Sequence, residues 1–353
     1  MDALDYPKDL RIFVTLKCNR ECAHCYVESG PAVDGQAVDA AAALDFIRWL
    51  KERGLQRVVL DGGEPMLAPD AVQSLVRGCC ECSMPVVVRT NGDHLEDSDA
   101  LQEIRQYSRA SLEISVGAYH QNVSRVSQIL ENLADLAKRT TLIRYDGFGR
   151  GTWAKAEADM IRGRVKLDGA FVCRFGRGKD LPMRYESLSL ATLPACTAVG
   201  SSVTLYPDGT LWSCNGYVVH ELWKRKLLES PLCWGNLYRD GAEACVERGR
   251  RRLPLRIIRA TGPYGMVTAL SLNSSTVDAQ PERPASILAG DHASASVPES
   301  ENEVTFDHIC AACRWTFCGI DVPTGLQSLD ADGKIGERLA EAWQTRVLLH
   351  PAP

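Results

Sequence analysis

The sequence predicts an α/β fold in two parts. The first is a parallel sheet wound by strand–helix units into about three-quarters of a barrel. The second is a smaller region built on a β-hairpin and helices. Two observations carry this. Between residue 10 and about residue 176, short apolar runs alternate with amphipathic runs, giving six strand–helix alternations. Repeated βα units imply a parallel sheet, and their right-handed crossovers curl it. Beyond about residue 183 the pattern changes to hairpin signals and a long stretch without periodicity.

The elements follow in order. Leu10–Leu16 reads as a strand and Ala37–Arg53 as a helix with Leu44, Ile47 and Leu50 on one face. Arg57–Leu60 is a strand, Pro69–Cys80 a helix, Pro85–Thr90 a strand and Leu95–Gln106 a helix. Ser111–Val116 is a strand, and Asn122–Lys138 a helix in which Val123, Val126, Leu130, Leu133 and Leu136 recur at helical spacing. Thr141–Tyr145 is a strand, Trp153–Ile161 a helix and Ala170–Phe175 a strand. In the second part, Val203–Tyr206 and Thr210–Ser213 flank a Pro207-Asp208-Gly209 turn and read as a hairpin. Gly235-Asn236 marks another turn. Residues 248–259 hold six arginines among apolar residues and read as a helix with a solvated basic face. Residues 273–303 are rich in Ser, Ala, Pro, Asp and Glu and are expected to form a long loop. Ile335–Leu349 reads as a closing helix. The expected division is a barrel over 8–182, a smaller domain over 183–325 with an insertion at 273–303, and a helix and tail over 326–353.

Composition narrows the function classes. A net charge of -5 gives no reason to expect nucleic acid or an anionic membrane as partner. No stretch approaches the ~20 apolar residues of a membrane span, and no signal peptide opens the chain. The expectation is a soluble, cytoplasmic protein. Fourteen cysteines are then the unusual feature. In a reducing compartment they point to metal or catalysis rather than disulfides.

Cys18-x3-Cys22-x2-Cys25 directly follows the first strand. Three thiolates on one loop can hold three corners of an iron–sulfur cube, leaving the fourth iron without a protein ligand; zinc or redox cysteines are the alternatives. In a βα barrel this loop lies at the C-terminal ends of the strands, where the chemistry sits. The second strand runs into Asp61-Gly62-Gly63-Glu64-Pro65. Its glycines permit close backbone approach, and Glu64 offers a carboxylate to an ammonium group. A plain βα turn would use the same residues.

These two motifs, in this order on strand ends, resemble the radical S-adenosylmethionine (SAM) superfamily. The resemblance covers residues 10 to about 178. It implies a partial (βα)6 barrel of the TIM type with a 4Fe–4S cluster on Cys18, Cys22 and Cys25. SAM would bind the open iron, with Gly62, Gly63, Glu64 and Pro65 forming the turn that receives its amino group. His24 stands where the family usually has an aromatic residue near the adenine. Ser115, ending the fourth strand, fits a position that contacts the SAM ribose. Arg144, in the fifth, fits one that pairs with the SAM carboxylate. Many relatives have an Asp soon after that serine; here the chain reads Gly117-Ala118-Tyr119-His120. Thr90-Asn91-Gly92 ends the third strand as in many relatives, and equally reads as a turn. Tyr119, His120 and Asp146 lie near strand ends and are candidates to touch substrate. No catalytic acid, base or hydrogen-atom donor is assigned.

Cys196-x17-Cys214 brackets the hairpin, and Cys310-x2-Cys313-x4-Cys318 lies far downstream. Such a set can close a four-thiolate site for a cluster or a structural zinc. It resembles the auxiliary-cluster domains called SPASM and twitch, and most of all the twitch alcohol dehydrogenase of aminoglycoside biosynthesis. That resemblance implies one auxiliary 4Fe–4S cluster on Cys196, Cys214, Cys310 and Cys313, with Cys318 a rival ligand. Cys79, Cys80, Cys82, Cys173, Cys233 and Cys245 read as packing residues, the alternatives being a third metal site on the first three and a hydrogen-atom donor among the last three.

The resemblance implies reductive cleavage of SAM to a 5′-deoxyadenosyl radical, hydrogen abstraction from substrate, and use of the auxiliary cluster in turnover. A one-electron donor such as flavodoxin or ferredoxin is the implied partner. About nine residues precede the first strand in this sequence, so a fused N-terminal leader-peptide domain is not expected. The expected substrate is therefore a small polar natural-product intermediate: a sugar, aminocyclitol or nucleoside. The alternatives are modification of a ribosomally made peptide, radical decarboxylation or redox-neutral rearrangement, and a non-enzymatic iron–sulfur or zinc scaffold.

Overall fold

The computed structural model describes residues 3–95, 99–120, 126–145, 165–170, 176–181, 188–189, 196, 198–252, 254–260, 262 and 305–306. Six parallel strands form the frame: β1 (Asp9–Thr15), β2 (Arg57–Gly62), β3 (Val86–Thr90), β4 (Ala110–Val116), β5 (Thr140–Tyr145) and β6 (Lys166–Ala170). They pair in sequence order, each with the next. Helices α1 (Ala40–Lys51), α2 (Pro69–Glu81), α3 (Asp99–Gln106) and α4 (Val126–Asn132) make the crossovers between the first five. This is the expected α/β architecture, and the sheet does not close.

A two-residue strand β7 (Leu188–Ser189) precedes a hairpin of β8 (Ser202–Leu205) and β9 (Thr210–Trp212). The hairpin continues the main sheet. β8 runs parallel to β1 on its free edge, with Asp9 opposite Ser202 and Ile12 opposite Leu205. β9 returns antiparallel, and β10 (Cys233–Asn236) pairs with β9. The sheet therefore has nine strands in the order β10-β9-β8-β1-β2-β3-β4-β5-β6. Helix α5 (Tyr217–Lys224) follows β9, and α6 (Leu237–Asp240) and α7 (Ala242–Arg251) follow β10. β11 (Thr305–Phe306) pairs antiparallel with β7.

Local chemistry explains these elements. β2 and β3 carry the continuous apolar runs Val58-Val59-Leu60 and Val86-Val87-Val88, as strands covered on both faces require. Asp39 caps α1, its side chain accepting from the Ala42 N–H at 3.0 Å. The buried face of α1 is Ala43, Phe46, Ile47 and Leu50, so Phe46 replaces the expected Leu44, which is only partly covered.

Other expectations shift. The helix expected over 122–138 is α4 followed by a 3₁₀ segment, Ala134–Arg139. Leu133 and Leu136 remain buried because their spacing of three suits a 3₁₀ turn, closed by the Leu136 N–H on the Leu133 carbonyl at 2.9 Å. The sixth described parallel strand is Lys166–Ala170; of the strand expected over Ala170–Phe175, residues 171–175 lie outside the described residues. The sequence of β6, Lys-Leu-Asp-Gly-Ala, holds no apolar run, so pairing with β5 defines it. The arginine-rich stretch breaks after Arg251 and turns helical again at Pro254, a residue that starts helices but cannot continue them. Gly235 and Asn236 end β10, where the Asn236 side chain caps α6. Residues 153–161, 273–303 and 335–349 lie outside the described residues. Among the described residues no helix is long and apolar enough to cross a membrane.

Candidate active site at the strand ends

Because β1 to β6 are parallel, their C-terminal ends share one edge of the sheet. The loop after β1 carries Cys18, Cys22 and Cys25. It closes on itself through the Cys18 N–H on the Gly30 carbonyl at 3.1 Å and the Cys25 N–H on the Cys22 carbonyl at 3.1 Å. Cys18 is buried and the other two thiols are half-buried. Burial pushes the Cys18 thiol up to about 11; the Arg20 N–H opposes this, while Glu64, Cys22 and Cys25 add to it. Cys22 and Cys25 are raised as well, again first by burial. The three thiols thus lie close enough to feel one another. Among the described residues no group of three or more His, Cys, Asp or Glu side chains closes on one metal-ion position.

The turn after β2 is knitted to the root of this loop. The Gly63 N–H donates to the Thr15 carbonyl at 2.8 Å and the Glu64 N–H to the Lys17 carbonyl at 2.9 Å. Gly62 has a φ of 126°, and a Cβ there would lie 2.3 Å from the Thr15 oxygen. A Cβ on Gly63 would lie 2.1 Å from the Lys17 oxygen. The close approach these glycines permit is to the chain's own backbone, just before Cys18. Pro65 begins a short 3₁₀ turn.

Glu64 is fully buried. Its Oε1 accepts from the Met66 N–H at 3.1 Å and the Thr90 hydroxyl at 2.7 Å, and Oε2 accepts from the Asn91 N–H at 2.8 Å. Burial lifts its pKa to about 7, against the pull of these three donors. A carboxylate offers about four lone-pair sites, so one acceptor site remains for a further donor.

The end of β3 completes the frame. Asn91 Nδ2 donates to Asn19 Oδ1 at 2.8 Å and lies 3.9 Å from Cys18 Sγ; the Arg20 N–H lies 3.4 Å from the same sulfur. Asn19 Nδ2 donates to Asp93 Oδ2 at 2.8 Å, and Arg20 grips Asp93 with two bonds. Thr90-Asn91-Gly92 is therefore more than a turn: it ties the cysteine loop and Glu64 together. Sequence reading passed over Asn19, Arg20 and Asp93. Their spacing around the cysteines and the third strand was the available signal.

Facing this frame, the His24 ring sits 4.6 Å from the His120 ring and 5.2 Å from the Tyr119 ring. Burial lowers the His24 pKa to about 4, and lowers that of His120 to about 3 with His24 adding to it. Both are neutral imidazoles. Ser115 is buried on β4. Arg144 lies on β5 opposite Val116, with its side chain outside the described residues. Asp146 also lies outside them.

On the hairpin side, Cys214 is buried, and burial pushes its thiol up to about 12 with neighbouring Cys196 adding to it. The Gly216 N–H lies 3.4 Å from its sulfur. Tyr217, at the start of α5, has its ring 4.7 Å from that of Tyr26, next to Cys25. Cys310, Cys313, Cys318 and Cys173 lie outside the described residues. Cys79, Cys233 and Cys245 are buried, and Cys80 and Cys82 half-buried, as packing residues would be.

The family model of the radical SAM superfamily matches residues 12–149, from β1 through the turn after β2 to just beyond β5. Residues 12–149 form a radical SAM domain. The chain is 31% identical to a probable GTP 3',8-cyclase of Archaeoglobus fulgidus over 108 residues, 31% of this chain and 35% of that protein. It is 30% identical to the GTP 3',8-cyclase of Rhodococcus opacus over 142 residues, 38% of this chain and 36% of that protein. The match thus spans about a third of the length of these curated relatives. Among solved structures, Streptococcus suis SuiB bound to precursor peptide SuiA aligns with a TM-score of 0.57 at 13% identity, over 73% of this chain and 68% of that one. Native anSMEcpe with bound AdoMet and Cp18Cys peptide aligns with a TM-score of 0.51 at 11% identity, over 92% and 99%. Both are likenesses of fold.

A radical SAM domain implies a 4Fe–4S cluster and SAM. The residues present fit that pair. Three soft thiols share one loop, N–H groups point at the Cys18 sulfur, and a cube takes each thiolate at a different corner rather than gathering them at one point.

Proposed function

We propose that Cys18, Cys22 and Cys25 hold the catalytic cluster and that SAM lies against the turn Gly62–Pro65. Glu64 and the Gly62–Gly63 backbone receive its amino group, with His24 and Ser115 beside its adenosyl moiety and Arg144 toward its carboxylate. When bound, the reduced cluster supplies the electron that cleaves SAM to methionine and a 5′-deoxyadenosyl radical. The protein's own contribution is position and dryness. The observation that carries this reading is the network joining the cysteine loop, Glu64 and Asn91–Asp93. It aligns the two motifs on one sheet edge.

We further infer an auxiliary 4Fe–4S cluster on Cys196 and Cys214 with Cys310 and Cys313, Cys318 standing as the rival ligand. The neighbouring Cys196 and Cys214 thiols support it. The substrate reading is a small polar metabolite, oxidised or otherwise tailored. The likeness to GTP 3',8-cyclases, which by name act on a nucleotide, supports a small polar substrate.

Anaerobic reconstitution followed by iron analysis and assay of 5′-deoxyadenosine tests the core. The variant with Cys18, Cys22 and Cys25 all changed to Ala should hold less iron and form no 5′-deoxyadenosine. Undiminished cleavage by that variant refutes the assignment. Incubation with deuterated sugars, aminocyclitols and nucleosides, and separately with peptides, should transfer label to 5′-deoxyadenosine from the small molecules. Transfer from peptides alone reverses the substrate reading.

A further inference from the structure

Immediately after the segment that follows β6, Gly176 and Arg177 reach back onto the cysteine loop. The backbone approaches first. The Arg177 N–H donates to the Cys25 carbonyl at 3.1 Å. Gly176 has a φ of 56°, and a Cβ on it would lie 2.6 Å from the carbonyl oxygens of both Cys25 and Tyr26. Only glycine brings the chain this close in that conformation. The side chain then spans the loop. Arg177 Nε donates to the Cys22 carbonyl at 3.0 Å and Nη2 to the Ser29 carbonyl at 2.6 Å. One guanidinium thus holds two points of the loop that lie on either side of Cys25. Its positive charge lies within electrostatic reach of the half-buried Cys22 and Cys25 thiols, where it is less screened than at an open surface.

We propose that Arg177 is a positioning residue for the catalytic cluster, pinning the loop between Cys22 and Ser29 and favouring the reduced cluster by its fixed positive charge. This rests on the assignment of Cys18, Cys22 and Cys25 as cluster ligands. Reduction adds one electron, delivered by a low-potential one-electron reductant, to a centre already made negative by its thiolates. A cation alongside lowers the energy of the added charge, so the midpoint potential is higher with Arg177 than without it.

The test is a potentiometric titration of the reconstituted enzyme, following the electron paramagnetic resonance signal that changes when SAM is added. That signal reports the SAM-binding cluster apart from any other. Arg177→Gln keeps one hydrogen-bonding arm and removes the charge. Arg177→Lys keeps the charge and loses the planar two-carbonyl grip. The Gln variant should shift its reduced-to-oxidised balance at least tenfold toward oxidised, about 59 mV to lower potential for one electron. The Lys variant should stay near the wild-type potential. An unshifted or raised potential in the Gln variant, or equal shifts in both, overturns the proposal. Loss of the cluster from both variants alike reduces Arg177 to a structural clamp and overturns it too. If the wild type itself gives no SAM-sensitive signal, the ligand assignment has failed, and this inference falls with it.

Discussion

Arg20 and Asp93 form a two-bond ion pair across the mouth of the sheet, Nε to Oδ2 and Nη2 to Oδ1, both at 2.5 Å. The pair binds the loop after β1 to the loop after β3, and Asn19 joins it on the same carboxylate oxygen. Each side chain is 17% exposed, so the pair is more than a surface contact. Asp93→Ala leaves three charged or amide donors without their acceptor. Hydrogen bonds to charged groups contribute about 1.5–3 kcal/mol. A destabilisation in that range should appear in urea unfolding, with lower iron uptake on reconstitution. Asp93→Asn should fall between. An unchanged iron content in Asp93→Ala would show that the cysteine loop holds its shape without β3.

Glu64 does two jobs that substitution can separate. Toward the protein it satisfies Met66, Thr90 and Asn91. Toward SAM it is proposed to take an ammonium. Glu64→Ala strands buried donors and should cost about 1–3 kcal/mol in stability. Glu64→Gln keeps an acceptor oxygen and removes the charge, so it should weaken SAM binding more than it destabilises the fold. Calorimetric titration with SAM, set beside thermal unfolding of the same variants, measures both. Equal SAM affinity in the Gln variant and the wild type removes Glu64 from the ligand site.

The parts of this architecture written locally were legible in the sequence. The cysteine spacing, the Gly62–Pro65 turn and the apolar runs of β2 and β3 each carry their meaning within a few residues. Contacts that depend on the fold were not. Arg177 stands 155 positions from Cys22, and no periodicity announces that the chain after β6 folds back there. The strand at Lys166–Ala170 was not legible because a strand of sequence Lys-Leu-Asp-Gly-Ala is defined by its partner, not its own pattern. The hairpin was found from its Pro207-Asp208-Gly209 turn. Its docking on the free edge of β1 is a long-range pairing that turn chemistry cannot encode.

Gly63→Ala tests how tightly the second motif is pressed on the first. The added Cβ would meet the Lys17 carbonyl oxygen at 2.1 Å and that of Leu16 at 2.7 Å, and both are backbone. Such overpacking typically costs about 1–3 kcal/mol. The relief available is separation of the turn from the cysteine loop, so SAM affinity and iron content should fall together. A variant that loses SAM binding with full iron content would show that the turn acts on SAM alone.

His220 makes stability depend on pH away from the cysteine loop. It is buried on α5, its Nδ1 3.2 Å from the Tyr206 hydroxyl, and its ring stacks with those of Tyr206 and Trp223. Burial, with Lys224 nearby, lowers its pKa to about 3. In the unfolded chain the same imidazole titrates near its ordinary value of about 6.5. Between those values the unfolded state binds a proton that the folded state refuses. The stabilisation is therefore whole above about pH 6.5 and declines as pH falls toward about 3, by up to about 1.4 kcal/mol per pH unit. His220→Phe retains a stacking ring without the titration. Urea unfolding at pH 7 and pH 5 should show wild type losing more stability between the two than the variant does. His24 and His120 are depressed in the same direction, to about 4 and about 3, so the variant keeps part of the slope. Identical losses in both proteins would mean that His220 accepts its proton in the folded state, and that the aromatic stack does not exclude the charge.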